Sequence, residues 1–546
     1  MTAPTTAPAT APTTAPTTGP TTGRSWPFPV EPPHSTVHRA WRLPVGFGLL
    51  AMLVSLLGSW IPSLWEDETA SLVSASRPLD SLFMMLGHID AVHGTYYLGL
   101  HFWVDLFGSS PFSIRFPSAI AIGLCIAAVV ILVRQLSSSR TAFIAGLVCA
   151  LLPRLTYAGV EARSYAFSAA IAAWLTVLFV ELLRRSRPKR MLWAAYAALL
   201  TLGIYCFLYV GLVVAAHAVL ALWHRPGRRF AASWLVATAA GLAAAVPMVV
   251  WAFLERSQIE YLAPQTQVTP NSILVELWFG YSAAAIVAWV LIALAVGGAI
   301  GGAVTEAATE EAASGLGGTR ECPDAARPLP SLELVAACWL FIPAALLIAL
   351  GSFVPAFTPR YLTFCAPAAA VLIACGISRL AAYRWVPHRR HTRAAVIATM
   401  VVLAAFVPAY LVQRGPYAMN DSDWAQISAT VGAHAVPGDG VLFDQSAPQS
   451  QRPELALRSY PAGFTGVNNV LLATPYTRNT SWADTMDSVP QAVARGRFAG
   501  VSRVWVVEYA TPTRTDTWGL ADLHALGFTK AAHYRTFRSE IIELTR

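Results

Sequence analysis

Charged residues are scarce in this 546-residue chain: they make up 12% of it, where a soluble domain carries about 25%. Hydrophobic types make up 55%, and the mean hydropathy is +0.51. This composition excludes a disordered protein, a coiled coil and an ordinary cytosolic enzyme. The 38 basic residues give a net charge of +8, but they are spread too thinly for a nucleic-acid surface, so no nucleic-acid partner is expected. A multi-pass membrane protein in contact with the bilayer is predicted instead.

Cysteine is also sparse, with seven residues, none in the last 170 positions and no CxxC pair. This pattern argues against a zinc site and against a disulfide framework. Six of the seven lie in apolar runs, where a thiol behaves as a small hydrophobic group.

The first 23 residues are almost entirely Thr, Ala, Pro and Gly and show no apolar periodicity. They lack the basic start and short apolar core of a signal peptide. We therefore predict that residues 1–40 form a disordered cytoplasmic tail.

Long apolar runs dominate the chain up to residue 414. A helix needs roughly 20 apolar residues to cross the hydrocarbon core of a bilayer. About 11 runs approach this length: 43–64, 111–133, 141–160, 165–183, 191–205, 206–224, 230–254, 273–300, 331–353, 361–381 and 394–413. The predicted fold of residues 41–414 is thus an all-α multi-pass bundle. The run 96–107 is too short to span, and a helix that lies at the interface or re-enters the membrane is expected there.

Basic residues are distributed unequally between the two sides of this predicted bundle. With a cytoplasmic N-terminus, the inner segments hold 20 Lys and Arg residues and the outer segments hold 7. Positive residues favour the cytoplasmic side, so this orientation in a plasma or inner membrane is self-consistent. An odd number of spans then places the C-terminal region outside.

The composition changes at about residue 415. A helix is predicted over 424–436, strands over 441–443 and 504–507, and a short helix over 521–526 before closing strands. Residues 415–546 are therefore predicted to form a small extracytoplasmic α/β domain.

Three consecutive carboxylates, Glu66, Asp67 and Glu68, follow the first span directly. One of them could act as a general base while its neighbours orient it or bind substrate. The alternative is a solvated cap, because acidic residues are favoured in the first turn of a helix.

His93, Tyr96 and Tyr97 lie further along the same outer loop and are candidates for substrate binding. Interfacial aromatics also occur for packing reasons alone. The spacing of His88, His93 and His101 does not match one helix face, so no metal site is predicted.

The second outer loop carries Glu161, Arg163 and Tyr165. The acid and the base could simply pair, which contributes little at an exposed position. Arg163 could equally offer its fork of donors to a phosphate group.

Arg115 stands at the outer edge of the second span, and Arg360 and Tyr361 start a later one. A snorkelling arginine beside an interfacial tyrosine explains either residue alone. Arginines in three outer loops, one of which also holds three acids, favour a base and a phosphate clamp that meet on one side. Further acceptor contacts could come from the polar residues after another span: Glu255, Arg256 and Glu260.

With these motifs in order, the chain resembles membrane glycosyltransferases of the GT-C type, in particular the family 39-like group. That group includes protein O-mannosyltransferases and the aminoarabinose transferase acting on lipid A. The resemblance covers about residues 40–410 and is carried by five motifs: Asp67-Glu68, Tyr96-Tyr97, Ile114 to Ala119, Glu161 to Tyr165, and Pro359-Arg360-Tyr361. The chain differs from many members of the group in its first outer loop, where it has His93-Gly-Thr and they have a double proline after the histidine.

The resemblance implies a polyprenyl-phosphate sugar as donor and inversion at the anomeric carbon. Asp67 would take the proton of the acceptor hydroxyl, and Glu68 would assist or bind acceptor. Arg115, Arg163 and Arg360 would hold the donor phosphate. Mannose is the expected sugar and arabinose the next, with a glycolipid, polysaccharide or protein as acceptor. No cofactor is identified, and a divalent cation stays open.

Two other classes are consistent with a multi-pass chain. A transporter or lipid flippase places ionisable residues in mid-membrane and has internal repeats, neither of which is evident here. A cell-envelope scaffold would bind partners through the outer domain. Replacement of Asp67 by Asn separates these hypotheses, because only an enzyme should lose turnover while folding normally.

Overall fold

A computed structural model describes residues 41–258, 268–314, 329–351, 353, 357–383, 387, 390–510 and 519–546, with residues 302–314 described as backbone helix only. The predicted disordered tail, residues 1–40, and the candidate Glu260 lie outside the described residues.

Helices account for most of the first 414 residues, because long apolar runs satisfy their backbone groups internally only as helices. The helices are α1 (Arg42–Leu56), α2 (Glu66–Ala75), α3 (Leu79–Leu86), α4 (Gly94–Phe107), α5 (Pro111–Leu136), α6 (Ser139–Leu151), α7 (Pro153–Ala158), α8 (Tyr165–Arg184), α9 (Arg190–Cys206), α10 (Val213–His224), α11 (Arg228–Leu254), α12 (Ser282–Ser314), α13 (Leu332–Gly351), α14 (Ala366–Ala381) and α15 (His391–Val412). Short 3₁₀ turns precede α4, α10 and α14, at Ala91–His93, Leu208–Leu212 and Pro359–Cys365.

Seven described helical segments are long and apolar enough to cross a membrane. They coincide with seven of the predicted spans. The other four predicted spans coincide with apolar helices of only 10–17 residues, namely α1, α6, α9 and the segment Leu208–His224. The run predicted at 96–107 forms α4, a helix of 14 residues.

The first span is shorter than its apolar run predicts. Helix α1 ends at Leu56, and Gly58 then adopts a positive φ of 74°. A side chain at Gly58 would clash with Arg414, since its Cβ would lie 2.7 Å from Cγ of that residue. The chain therefore turns here and carries the loop 57–65 across the end of the bundle.

Helices α5 and α14 lie at the centre of the bundle and are mostly buried. Helix α5 packs against α1 and α8, and α14 packs against α6, α12 and α13. Small residues permit the closest approach: a Cβ on Gly123 would lie 2.7 Å from the carbonyl oxygen of Gly48. Many large apolar side chains of α1, α11, α12 and α15 are exposed, as on a lipid-facing surface.

The C-terminal region contains a five-stranded sheet in the order β2-β1-β5-β7-β6. The strands of the region are β1 (Gly440–Phe443), β2 (Asn468–Asn469), β3 (Leu472–Thr474), β4 (Thr485–Met486), β5 (Arg503–Tyr509), β6 (Thr529–Arg535) and β7 (Ser539–Thr545), and β3 and β4 form a separate pair. The helices are α16 (Trp424–His434), α17 (Leu455–Ser459), α18 (Val489–Ala494) and α19 (Leu520–Ala525). Strand β1 runs parallel to β2 and β5, whereas β7 is antiparallel to both of its neighbours.

Alternation along β5 places apolar side chains on both faces of this sheet. Val504 and Val506 enter one core with Phe528, and Trp505 and Val507 enter another with Trp424. Both faces are covered, which matches the continuous apolar run of a buried strand.

This domain packs directly on the loop between α1 and α2. The hydroxyl of Tyr460 accepts a hydrogen bond from the backbone N–H of Leu64 at 2.8 Å, and Thr69 and Ser459 share another at 2.6 Å. The domain therefore supports the segment that carries the three carboxylates.

Candidate active site

The three carboxylates occupy the first turn of α2, which begins at Glu66 after an extended Trp65. Consecutive residues of an α-helix point in directions about 100° apart. The three side chains therefore diverge, and each enters a different environment.

Glu68 turns into the protein and forms a fully buried ion pair with Arg115. Nε and Nη2 of Arg115 donate to its two carboxylate oxygens at 2.7 and 2.5 Å. Arg115 also donates to the carbonyls of Ser59 and Pro62, and the backbone N–H of Ala162 donates to Glu68. Neither Glu68 nor Arg115 is exposed at all, so the partners of both are protein groups of the surrounding loops.

Glu66 turns towards the C-terminal domain instead. It accepts a hydrogen bond from the Asn420 amide at 2.9 Å, and it lies 3.4 Å from Nη1 of Arg538. Burial, the larger effect, raises the pKa of Glu66, while Asn420 and Arg538 oppose that rise. This carboxylate thus joins α2 to the turn between β6 and β7.

Of the three carboxylates, Asp67 is the one that contacts Arg163 and Arg360, the two other arginines predicted to hold phosphate. Its Oδ2 lies 3.0 Å from Nη1 of Arg360 and 3.7 Å from Nη2 of Arg163. The guanidinium of Arg360 also stacks 5.2 Å from the ring centroid of Trp65. Burial favours the neutral acid, but the two guanidinium groups outweigh it and hold the pKa of Asp67 below its usual value. Asp67 is therefore ionised, with 22% of its side chain exposed.

Arg163 links Asp67 to the first outer loop. Its Nη1 donates to the hydroxyl of Tyr97 at 3.2 Å, and its Nη2 lies 3.3 Å from Nε2 of His93. Burial, followed by the nearby Arg163, lowers the pKa of His93 well below its usual value. A neutral His93 can accept a hydrogen bond from Arg163.

Asp90 belongs to this network, although sequence reasoning missed it. Its Oδ2 accepts a hydrogen bond from Tyr97 at 3.0 Å. Its backbone is left-handed, with a φ of 60°, and Gln258 and Glu255 accept hydrogen bonds from the backbone N–H groups of Asp90 and Ala91. Burial raises the pKa of Asp90. The available signal was an acid three residues before His93 in the same loop.

The candidates after α11 thus have two different environments. Glu255 holds the backbone of the Asp90 loop, whereas Arg256 is exposed and stacks on Phe253.

Aromatic side chains surround the group formed by Asp67, Arg163 and Arg360, called the Asp67 cluster below. Tyr361 packs against Tyr165, Phe207 and Tyr209 with ring centroids 5.5–6.3 Å apart. Tyr96 is buried between Tyr97 and Phe167. Two of the predicted tyrosines thus shape the wall next to Arg360, and Tyr96 supports Tyr97.

Glu161 is buried, with 1% of the residue exposed, and neither carboxyl oxygen has a hydrogen-bond partner among the described residues. Burial raises its pKa to about 8, in spite of Arg360 nearby. Burial therefore favours the neutral acid form of Glu161. Its backbone carbonyl accepts from Ser118, which fixes the loop between α7 and α8 to α5.

Three buried N–H groups around Asp67 also lack an acceptor among the described residues: Nε of Arg163, Nε of Arg360 and Nε1 of Trp65. Such donors are costly to leave unpaired, and a ligand that accepts hydrogen bonds would satisfy them. A phosphate group has the charge and the oxygen atoms to do so.

Metal ligation has no comparable support in the part of the chain that the structure describes. No group of three or more His, Cys, Asp or Glu side chains there could hold a metal ion.

Comparison with known proteins finds one family model and several solved structures to which the chain is similar. The sequence model of dolichyl-phosphate-mannose-protein mannosyltransferases matches residues 96–251. No curated protein matches the chain. Among solved structures, ArnT from Cupriavidus metallidurans in the apo state is 14% identical, with a TM-score of 0.51 over 93% of this chain and 98% of that one.

Two further structures are similar. ArnT from Cupriavidus metallidurans bound to undecaprenyl phosphate gives a TM-score of 0.50 at 14% identity, over 91% of this chain and 97% of that one. The oligosaccharyltransferase of Archaeoglobus fulgidus in complex with Zn and sulfate gives 0.43 at 14% identity, over 86% and 68%. The family model and the shared ArnT fold confirm the resemblance to the GT-C type, family 39-like group.

Proposed function

We propose that this protein is an inverting membrane glycosyltransferase that moves a sugar from a polyprenyl-phosphate donor to an acceptor hydroxyl on the extracytoplasmic side. The observation that carries the proposal is the position of Asp67 between Arg163 and Arg360, both of which retain an unpaired buried Nε–H. Such a transfer needs a base and, beside it, cationic groups that can hold a phosphate.

The reaction is a single displacement. Asp67 takes the proton of the acceptor hydroxyl while the acceptor oxygen attacks the anomeric carbon. The bond from that carbon to the phosphate oxygen breaks on the opposite face, and polyprenyl phosphate leaves with the electron pair. Arg163 and Arg360 stabilise the leaving phosphate by charge-assisted hydrogen bonds.

The same arginines control the strength of the base. Without donor they hold the pKa of Asp67 below its usual value. When a phosphate binds, it partly neutralises both guanidinium groups and releases this restraint on Asp67. Asp67 therefore becomes a better proton acceptor after the donor is in place, which favours an order of binding with donor first.

Supporting roles follow from the contacts of the other candidates. Neutral His93, with Tyr97 and Asp90, orients Arg163. Glu161 can donate a hydrogen bond to the substrate as a neutral acid. Glu68 and Arg115 hold the loop and α2 together and take no part in the chemistry, and Glu66 anchors the C-terminal domain.

The donor class and the orientation rest on two supports. The matching family model is named for dolichyl-phosphate mannose, and one similar ArnT structure holds undecaprenyl phosphate. Among the described basic residues, Arg134, Arg184 and Arg228 lie at the ends of α5, α8 and α11 opposite the Asp67 cluster, which favours an extracytoplasmic site in a plasma or inner membrane. Mannose is the first sugar to test and arabinose the second.

A transfer assay with a panel of donors tests the proposal. Proteoliposomes of the wild type, Asp67→Asn and Arg360→Ala are offered polyprenyl-phosphate mannose, arabinose and glucose, with an envelope extract as acceptor. The wild type should transfer sugar from at least one donor. Both variants should lose this activity. No transfer from any donor would reject the function.

A further inference from the structure

A polar cleft of about 520 Å³ lies in the C-terminal domain, apart from the Asp67 cluster. The cleft lies between the β1–α17 connection and the segment 479–488, which includes β4. Its lining includes the side chains of Gln445, Arg452, Asn479, Thr480, Thr485 and Ser488. The apolar side chains in it are Ala483 and Met486, too few for the apolar pockets that typically anchor peptides or drug-like molecules.

The charged groups of the cleft are already committed to protein partners. Asp484 is fully buried at its side chain and accepts from Nε of Arg458 at 2.7 Å, and Asp487 pairs with Arg495 at 2.7 Å. Arg452 donates to the side-chain oxygen of Gln445 at 2.8 Å. The amide N–H groups of Gln445 and Asn479 also donate within the protein, so the hydroxyl groups of Thr480, Thr485 and Ser488 remain as the main recognition elements. These groups favour a ligand rich in hydroxyl groups over a phosphate or a cation.

Hydrogen bonds from Asn479 and Arg77 hold the segment that forms one side of the cleft. Asn479 donates to the carbonyl of Ala483 at 2.9 Å and to the hydroxyl of Thr485 at 3.1 Å. Buried Arg77 donates to the carbonyls of Asn479 and Ser481. Thr480 and Thr485 are exposed, so their hydroxyl groups face solvent on a segment held by these hydrogen bonds.

Arg77 also connects the cleft to the Asp67 cluster. It follows the C-terminal end of α2, whose first turn contains Asp67. A ten-residue helix is about 15 Å long, so the cleft floor and the base are separated by roughly that distance along α2. Nine of the ten residues of α2 are buried, so the partly exposed Asp67 is the residue of this helix that a chain of several sugar units extending from the cleft can contact.

We propose that this cleft binds a glycan chain and positions it as the acceptor. This inference rests on the proposed glycosyl transfer and adds the acceptor class to it: an oligosaccharide or polysaccharide in preference to a peptide. The cleft recognises the chain at a distance from the bond that is formed, so it acts on acceptor affinity and leaves the chemical step to Asp67.

Direct binding tests the cleft independently of catalysis. The full-length protein in nanodiscs is titrated with hexasaccharides of mannose, of arabinose or of glucose, followed by saturation-transfer NMR. Binding of at least one hexasaccharide by the wild type is expected. Thr480→Trp should fill the cleft and weaken that binding about tenfold or more, since buried ligand surface and hydrogen bonds are lost. Thr485→Trp provides a second variant in case the first fails to fold.

Two control variants separate the inference from the proposed function. Thr529→Trp, an exposed threonine on β6 outside the cleft, and Asp67→Asn should both bind the hexasaccharide like the wild type. No binding of any hexasaccharide, or equal binding by folded cleft variants, would overturn the glycan cleft even if transfer is observed. Glycan binding without transfer from any donor would instead reject the glycosyltransferase.

Discussion

Oδ2 of Asp67, in the first turn of α2, lies 3.0 Å from Nη1 of Arg360, in the 3₁₀ turn that precedes α14. These segments are far apart in the chain, and the bundle brings them together at one end. The contact joins a candidate base to a candidate phosphate ligand, so each group influences the other before any substrate binds. The first prediction follows from this contact.

Arg360→Lys should raise KM for the donor and lower kcat, although the positive charge is kept. Lysine cannot reproduce the fork of donors and does not stack on Trp65 in the same way. A loss of about tenfold to a hundredfold in kcat/KM is expected, typical of one charge-assisted contact. Steady-state kinetics over a range of donor concentrations measures it. Arg256→Lys, an exposed arginine at the same end of the bundle, serves as the control, and an equal effect in both variants would argue against a clamp at Arg360.

The raised pKa of Glu161 predicts that the enzyme loses activity at alkaline pH. Burial raises the pKa of Glu161 to about 8 from 4.5, so the folded state holds this proton over that interval and the unfolded state does not. The contribution of Glu161 to stability is therefore greatest below pH 4.5 and declines as the pH rises to about 8. Above that pH, an ionised Glu161 would compete with the donor phosphate for Arg163 and Arg360.

A pH profile of kcat/KM for wild type and Glu161→Gln tests this prediction. The wild type should lose activity through about pH 8, and the variant should keep its activity there because the amide does not ionise. An unchanged alkaline limb in Glu161→Gln would assign that limb to another group.

The buried pair of Glu68 and Arg115 predicts a defect of folding. Glu68→Gln leaves the guanidinium group of Arg115 without its counter-charge, and such losses destabilise proteins by about 3–5 kcal/mol. A lower melting temperature in detergent is expected, with less protein in the membrane. Glu181→Gln removes a partly exposed partner of Arg185 and should change the melting temperature little. If Glu68→Gln melted like the wild type yet lost turnover, Glu68 would have a catalytic role after all.

The contacts of Arg538 predict that the C-terminal domain holds α2, and with it the candidate base Asp67, in position. The guanidinium group of Arg538 lies 3.4 Å from Glu66, the neighbour of Asp67, and donates to the carbonyl of Asn420 at 3.0 Å. Arg538→Ala should therefore lower kcat more than it raises KM for the donor, because α2 loses a support without losing a phosphate ligand. Arg535→Ala, at the end of β6, is the control. A pure KM effect in Arg538→Ala would contradict a supporting role.

The sequence predicted which residues gather but only part of how they pair. Asp67, Arg163 and Arg360 could be predicted because each stands beside an apolar run, and the order of the runs puts all three on the same side of the membrane. The distribution of basic residues then predicts which side that is. The different contacts of Glu66, Asp67 and Glu68 could not be predicted from the sequence. They depend on the direction in which each side chain leaves the first turn of α2 and on the residues that lie in that direction. Arg115 shows the same limit, because its location at the outer edge of a span does not reveal that it faces inwards to Glu68.

Asp90 was missed for a related reason. Its importance comes from contacts with Tyr97 and from the support that Glu255 and Gln258 give to its loop, and those last two residues follow α11 far along the chain. Only the packing of α11 against this loop brings them together. The helix ends likewise depend on local tertiary contacts, as the turn at Gly58 against Arg414 shows.

The most direct test of the account is the single-turnover rate of sugar transfer by Asp67→Asn with saturating donor and acceptor. General-base catalysis contributes about 10²–10⁴-fold, so the variant should transfer the sugar slower by about that factor. It should bind donor at least as tightly as the wild type, because no carboxylate then competes with the phosphate for Arg163 and Arg360. Asp80→Asn, an exposed acid on α3, should transfer at the wild-type rate. A folded Asp67→Asn that transfers sugar as fast as the wild type would contradict the central claim that this carboxylate is the base.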